Sequence, residues 1–190
     1  MIKKTKNFRP KNISLDESST DFCFIFHNSR LLIKNGNDIL EIPRRRDLSQ
    51  TGLVIPQLRP FGAIDDIDCY WGEIFDEYEL ENKFFSFERL RNLFNRLSEE
   101  AFSCACTALQ IKSWDNISRF CGRCGNYLAH SESERAKLCT GCGHVDYPRI
   151  NPAVIVAVTK GQEILLVRVR RIKNSLYSVI AGFLEPRSEE

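Results

Sequence analysis

The sequence lacks any apolar stretch approaching the roughly 20 residues that a membrane helix needs. The basic residues at positions 1–8 have no apolar run behind them, so we see no signal peptide and expect a cytoplasmic protein. The net charge is only +2, which gives no general signature of polyanion binding. No internal repeat or low-complexity tract is present. These absences argue against membrane and secreted classes and give no support to a general nucleic-acid binder.

The remaining composition is that of an ordinary globular protein, with 43% hydrophobic and 27% charged residues in 190 positions. This length allows one large or two small domains. There are eight cysteines. In a reducing compartment, closely spaced cysteines are more often metal ligands or redox groups than disulfides. Four of them, Cys23, Cys69, Cys104 and Cys106, lie among apolar or helical residues, and we expect them to be structural thiols.

The N-terminal part has the pattern of a small β-rich domain after a polar segment at residues 1–20. The predicted strands are 22–27, 30–34, 39–42, 53–55 and 69–75. The predicted breaks fall at 35–37, Pro43, Gly52, Pro56, Pro60 and Gly62. Two helices are predicted to follow, with Ser86 and Ser98 as their N-caps. The second helix runs toward Trp114.

Two Cys-x-x-Cys-Gly knuckles then follow, with fourteen residues between the inner cysteines. Each knuckle presents two sulfurs to one ion, and its glycine supplies the positive φ that the turn requires. Cys121, Cys124, Cys139 and Cys142 are therefore predicted to form a closed structural site with no position left for water. Zinc is the first choice and iron the alternative, since both accept four thiolates in tetrahedral geometry. His130 and His144 are surplus to this set.

The last part of the sequence predicts three strands, at 153–159, 163–169 and 177–181, with a turn at 160–162. Arg168, Arg170, Arg171 and Lys173 form a basic patch that we interpret as a solvated strand end. No helix is predicted to cover these strands, so apolar faces and strand edges are expected to be exposed.

The knuckles, the run from Tyr147 to Pro152 and the run from Ala181 to Glu185 together resemble the NADH pyrophosphatase branch of the Nudix hydrolases. This resemblance implies an α+β chain: a mobile segment 1–20, an N-terminal domain 21–118, a zinc ribbon 119–150 and the first strands of an incomplete Nudix α/β/α sandwich, 151–190. It also implies a homodimer that cleaves NAD(H) to nicotinamide mononucleotide and AMP, or removes NAD caps from RNA.

The resemblance implies roles for four more residues. Tyr147, Arg91 and Arg44 match substrate-contacting positions of the family. Ala181 matches the residue whose main-chain carbonyl helps to hold the catalytic Mg²⁺ or Mn²⁺. Purely structural roles are the alternative for two of these residues. Tyr147 would then pack between the ribbon and the next domain, and Arg91 would be a solvent-exposed helix residue.

The glutamates of the Nudix signature have no counterpart in this sequence. Counted from Gly182, the first would fall at Ser188, and the later ones would fall beyond Glu190. Glu189 and Glu190 are not substitutes, since nothing follows to form the helix that would orient them. We therefore expect a catalytically incomplete chain, as a frameshift or premature stop would produce. The alternatives are a non-enzymatic zinc-ribbon module and a rubredoxin-like iron carrier.

Overall fold

The computed structural model describes residues 20–36, 40–65, 67–75, 78, 80, 82–168 and 177–185. The chain divides into two compact units, Met1–Pro148 and Arg149–Glu190. No helix in the described part of the chain is both long and apolar enough to span a membrane. The polar segment at 1–19, most of the basic patch and the residues from 186 onward lie outside the described residues.

The first unit is built on a six-stranded sheet with the order β3-β2-β1-β5-β4, in which β6 also pairs with β2. Its strands are β1 (Phe22–His27), β2 (Arg30–Asn35), β3 (Leu40–Glu41), β4 (Leu58–Ile64), β5 (Ile67–Ile74) and β6 (Phe85–Arg89). The central pair β1–β5 is parallel, whereas β2 runs antiparallel to its three neighbours. The strands predicted at 22–27, 30–34 and 69–75 are confirmed.

Strand β1 separates two hydrophobic cores because its successive side chains point to opposite faces of the sheet. Phe24 and Phe26 belong to the core that lies between the sheet and the long helix. Cys23 and Ile25 belong to the core on the other face. All four are fully buried. The nearly unbroken apolar run of β1 thus reflects a strand that is covered on both faces.

The segment around Pro60 departs from the prediction. Residues 53–55, predicted as a strand, lie outside any strand, and the strand forms instead at β4, which contains both Pro60 and Gly62. The register of β4 against β5 shifts between these two residues. Proline is tolerated here because β4 is at the edge of the sheet, where a missing N–H costs no ladder bond.

The first predicted helix is also wrong in its extent. Ser86 lies inside β6 and caps no helix; only a short 3-10 helix, Leu90–Leu93, follows the strand. The reason is pairing along β2, which buries Phe85 and Phe87 with a period of two. The helical spacing of the leucines at positions 90, 93 and 97 suggests a helix, but it cannot show that β2 is free to pair with this segment as a strand. A further 3-10 helix, Arg45–Gln50, was not predicted.

The second predicted helix is confirmed as α1, Glu99–Ile117. Ser98 is its N-cap, and its Oγ accepts a hydrogen bond from the backbone N–H of Ala101 at 3.2 Å. Glu99 and Glu100 in the first turn face the positive end of the helix dipole. The buried face of α1 carries Cys104, Ala105, Ala108 and Ile111, and it packs on the sheet.

The first unit ends in a small three-stranded sheet, β7 (Leu128–His130), β8 (Lys137–Cys139) and β9 (Val145–Asp146), which carries the two knuckles. The described part of the second unit contains only short strands. These are β10 (Ala153–Val156), β11 (Thr159–Lys160), β12 (Glu163–Ile164), β13 (Val167–Arg168), β14 (Tyr177–Ser178) and β15 (Ile180–Phe183). Every residue of β10 and β15 is exposed, in agreement with the uncovered strand faces predicted above.

Candidate metal centre and substrate-contacting residues

The two knuckles have the same backbone geometry. The N–H of Gly125 donates to the carbonyl of Cys121 at 2.8 Å, and the N–H of Gly143 donates to the carbonyl of Cys139 at 3.1 Å. Both glycines adopt positive φ, 77° and 70°, a conformation that residues with a Cβ rarely adopt. Each turn therefore folds its two cysteine side chains toward the same point.

The four sulfurs lie within 4.8 Å of one another. The Sγ atoms of Cys121 and Cys142 are 3.8 Å apart, and those of Cys124 and Cys139 are 3.3 Å apart. Sulfurs bound to one tetrahedral zinc at 2.3 Å would be about 3.8 Å apart. The arrangement thus fits a single four-coordinate ion, as the spacing predicts.

Backbone N–H groups stabilise the thiolate form of one of these ligands, Cys139. Cys139 Sγ accepts from the N–H groups of Cys142 and Gly141, both at 3.4 Å. These bonds, with that of Cys142 the strongest contribution, lower the pKa of Cys139 to about 6. The N–H of Arg123 donates to Cys121 Sγ in the same way. A thiol that loses its proton readily is a better metal ligand, because only the thiolate binds.

The ribbon is fastened to α1 by a buried lysine. The Nζ of Lys137, on β8, donates to the carbonyls of Asp115 and Ser118 at the C-terminal end of the helix, at 2.6 and 2.8 Å. These carbonyls have no partner within the helix, so Lys137 caps the end of α1. The same Nζ lies 2.9 Å from Asp115 Oδ1. Lys137 of the ribbon thereby neutralises the carboxylate of Asp115 and also donates hydrogen bonds to the free carbonyls at the end of α1.

His130, which the sequence left unassigned, belongs to this cluster and not to the metal site. Its Nε2 lies 3.1 Å from Asp115 Oδ1 and 2.6 Å from Arg59 Nη1. The two contacts cannot both be hydrogen bonds at once, because the first needs a proton on Nε2 and the second needs a free lone pair on the same atom. Burial alone would raise the pKa of Asp115, but His130 and Lys137 together lower it to about 2.

A second set of polar contacts joins β9 to α1. The carboxylate of Asp146 accepts a hydrogen bond from Trp114 Nε1 at 2.8 Å and another from Ser118 Oγ at 2.5 Å. The loop between β7 and β8 is also attached to the sheet, since Arg135 donates to the carbonyl of Phe61 on the edge strand β4. The ribbon is consequently positioned by α1 and by β4.

Tyr147 directly follows β9 and is half exposed, at 52%. Its hydroxyl donates to Glu134 Oε1 at 3.1 Å, and this hydrogen bond raises the pKa of the phenol. Glu134 lies in the β7–β8 loop that Arg135 attaches to β4. The ring is thus held at its hydroxyl end while about half of the residue is exposed, which leaves it available to stack on a planar ligand.

Arg44 lies beside β1, with its guanidinium 3.5 Å from the centre of the Phe22 ring and its Nη1 donating to the carbonyl of Thr20 at 2.7 Å. It lines an open groove of about 470 Å³ together with Lys34, Ser98 and other polar residues. Arg91 is exposed in the second 3-10 helix. Neither Arg91 nor Tyr147 lines this groove, so within the described residues these three positions do not share one pocket.

Ala181 belongs to the second unit. It lies in β15, opposite Ile155 of the antiparallel strand β10, and it is exposed. The N–H of Leu184 donates to the carbonyl of Pro152 at 2.9 Å, which continues the pairing toward the end of the described residues. Ser188, Glu189 and Glu190 lie outside the described residues.

Sequence reasoning missed the residues that hold the ribbon and Tyr147 in place. Glu134 lies in a polar loop with no pattern that marks it, and Asp115 follows the tryptophan of α1 without any recognisable motif. Lys137 occurs in an alternating strand, where a lysine is normally solvated, yet its side chain is only 5% exposed. No signal in a single sequence distinguishes these three from ordinary surface charges.

Two protein-family models match the chain. Residues 20–114 match an NADH pyrophosphatase-like rudimentary NUDIX domain, and residues 118–147 match an NADH pyrophosphatase zinc ribbon domain. A relative from Stutzerimonas stutzeri, named NAD-capped RNA hydrolase NudC, is 40% identical over 97 residues, which are 51% of this chain and 35% of the relative. Relatives of the same name from Pseudomonas fluorescens Pf0-1 and Pseudomonas putida GB-1 are 47% and 48% identical over 79 residues, which are 42% of this chain and 29% of each relative. The chain thus spans about a third of the length of the curated relatives it matches.

Proposed function

This chain belongs to the NADH pyrophosphatase family of Nudix hydrolases, and we propose that its residues serve an enzyme that cleaves NAD(H) to nicotinamide mononucleotide and AMP. The observation that carries this proposal is the joint presence of the rudimentary Nudix domain and the four-cysteine ribbon in the order of the family. The relatives are named for hydrolysis of NAD-capped RNA, so the NAD end of such an RNA is a second substrate of the same chemistry.

In this proposal the zinc site is structural. Its four ligands are all cysteines, so no coordination position remains for water or substrate. Its function is to hold the ribbon strands together and to place Tyr147, the residue that follows β9. The catalytic glutamates are not ligands of this ion, so the zinc site is complete without them.

Tyr147 is proposed to stack on a base of the dinucleotide, with Glu134 fixing the direction of the ring through the phenol. Arg44 and Arg91 are proposed to bind phosphate oxygens, for which the guanidinium has a matching pair of donors. Arg44 lies in a groove large enough to admit a nucleotide fragment, and Arg91 is fully accessible.

The catalytic Mg²⁺ or Mn²⁺ of the family would polarise the pyrophosphate and activate water. Residues 1–190 supply one proposed ligand for it, the main-chain carbonyl of Ala181, and contain no counterpart of the glutamates that share the ion. A single carbonyl does not hold a hard divalent cation, which prefers six oxygen ligands.

We also propose the division into an N-terminal domain 21–118, a ribbon 119–150 and a Nudix segment 151–190, a homodimer and a cytoplasmic location. The first is supported by the two family matches, which meet between residues 114 and 118. The cytoplasmic location is supported by the eight cysteines, none of which is paired in a disulfide. The dimer rests on the family resemblance and is tested by light scattering of the zinc-loaded chain.

The test is to incubate the zinc-loaded 190-residue chain with NADH and Mn²⁺, and to measure products and binding separately. We expect no mononucleotide product, but we expect binding of NADH by calorimetry. Tyr147→Ala should weaken this binding about tenfold, as loss of one base stack does. Tyr127→Ala is the matched control, because Tyr127 is an equally exposed tyrosine of the ribbon and no role in substrate binding is proposed for it.

The alternative is a non-enzymatic ribbon that binds a partner, which the exposed pair Phe120 and Tyr127 favours. Their rings are 63% and 56% exposed and lie 6.4 Å apart. The same experiment separates the two functions. Absence of NADH binding would support the ribbon module. NADH binding that depends on Tyr127 and not on Tyr147 would overturn the proposed dinucleotide site at Tyr147.

A further inference from the structure

Two cysteines outside the ribbon face each other in the core of the first unit. Cys69 lies on β5 and Cys104 on α1, 35 positions apart in sequence, and their Sγ atoms are 3.9 Å apart. Both are fully buried in the cluster that joins the helix to the sheet. The other two non-ligand thiols lie elsewhere: Cys23 is on the opposite face of the sheet, and Cys106 is only half-buried.

The two thiols are unequal in acidity. The hydrogen bond between them raises the pKa of Cys69, and burial raises it further. The same hydrogen bond lowers the pKa of Cys104 in opposition to burial. Cys104 is therefore the sulfur that reacts first as a thiolate, and Cys69 is the sulfur that resolves the product.

We propose that Cys69 and Cys104 form an oxidant-sensitive lock, in which hydrogen peroxide converts the facing thiols into a disulfide that ties β5 to α1. The Cys104 thiolate attacks hydrogen peroxide, so an S–O bond forms and the O–O bond breaks. The departing hydroxide takes up the proton that Cys104 released and leaves as water. Cys69 then attacks the sulfenic sulfur, the S–S bond forms and a second water leaves. Two electrons pass from the two sulfurs to one hydrogen peroxide.

Burial sets the conditions for this reaction. Closing the sulfurs from 3.9 Å to a bond of about 2.05 Å requires a small shift of α1 toward β5. The peroxide reaches the pair only when α1 opens locally from the sheet, so the rate of oxidation follows that opening. A disulfide at this position would also affect the ribbon, because the end of α1 carries Trp114 and Asp115, which contact β9 and β8.

The test is to treat the zinc-loaded chain with stoichiometric hydrogen peroxide while zinc release is followed with a chromogenic chelator. Peptide mapping without reductant should show one Cys69–Cys104 cross-link and a mass loss of about 2 Da, before zinc is released. The melting temperature should rise by roughly 5–10 °C and return after treatment with dithiothreitol.

Cys106→Ala is the matched control and should retain both the cross-link and the rise in melting temperature. Cys69→Ala should lose both. The mapping of the unsubstituted chain decides the question even where Cys69→Ala folds poorly. Zinc release and ribbon disulfides that precede any Cys69–Cys104 cross-link, or alkylation of both thiols at full yield after oxidation, would overturn the proposal.

Discussion

The ribbon contains all the residues that its metal site needs, whereas the strands in the segment from Arg149 onward lack, among the described residues, any that would cover their faces. The ribbon closes its metal site with four cysteines inside 22 positions, and it is anchored to α1 and β4 by buried polar contacts. The described strands β10 and β15 pair with each other, but every one of their residues is exposed. A structural metal site is therefore a local property of the sequence, whereas a sheet needs covering elements from elsewhere in the chain.

The largest expected effect is on the ribbon. Removing zinc with a chelator, or substituting Cys139→Ser, should unfold β7 to β9 while the six-stranded sheet stays folded. Structural zinc contributes on the order of 10 kcal/mol to a domain of this kind. Amide hydrogen exchange should show loss of protection confined to residues near the knuckles. His144→Ala is the control and should retain stoichiometric zinc, because only the backbone of His144 contacts a ligand cysteine. Zinc loss in that variant would mean that the site is not made of four cysteines.

The second largest difference is expected between the stability effects of truncating a buried and an exposed side chain. Phe24→Ala removes a fully buried ring between the sheet and α1 and should cost about 3–5 kcal/mol of unfolding free energy. Ile155→Ala on β10 removes a side chain that is 72% exposed and should change the unfolding free energy by less than about 0.5 kcal/mol. Urea denaturation of the 190-residue chain measures both. A cost of several kcal/mol for Ile155→Ala would show that β10 is covered in solution.

A smaller effect is expected at the junction of the ribbon and α1. Asp115→Asn leaves Lys137 buried without its counter-charge, and we expect a loss of about 2–3 kcal/mol at pH 7. Because the folded pKa of about 2 lies below the ordinary 3.8, this contribution is present above pH 4 and is lost as the pH falls from about 4 to 2.

The control for this prediction is Asp68→Asn, since Asp68 is exposed on β5. Urea denaturation at neutral pH should show that Asp68→Asn costs less than about 0.5 kcal/mol. Equal stability losses in the two variants would contradict a special role for Asp115.

The sequence predicted those elements whose cause is local. The strand β1 follows from an apolar run, the start of α1 from Ser98 as its N-cap, and the metal site from cysteine and glycine spacing. The wrong predictions share a different cause. Pro60 lies in a strand because β4 is at an edge, and Ser86 lies in a strand because β2 offers a partner. Neither fact is visible from neighbouring residues.

The sequence by itself determined the four zinc ligands and the family to which the chain belongs, because both depend on spacings of a few residues. Only the tertiary structure decided that Lys137 caps α1, that Glu134 holds Tyr147 and that Cys69 meets Cys104. Each of these pairs joins residues from different elements. Their contact depends on how strands and helix pack, and packing is set by the whole core and not by any short segment of the chain.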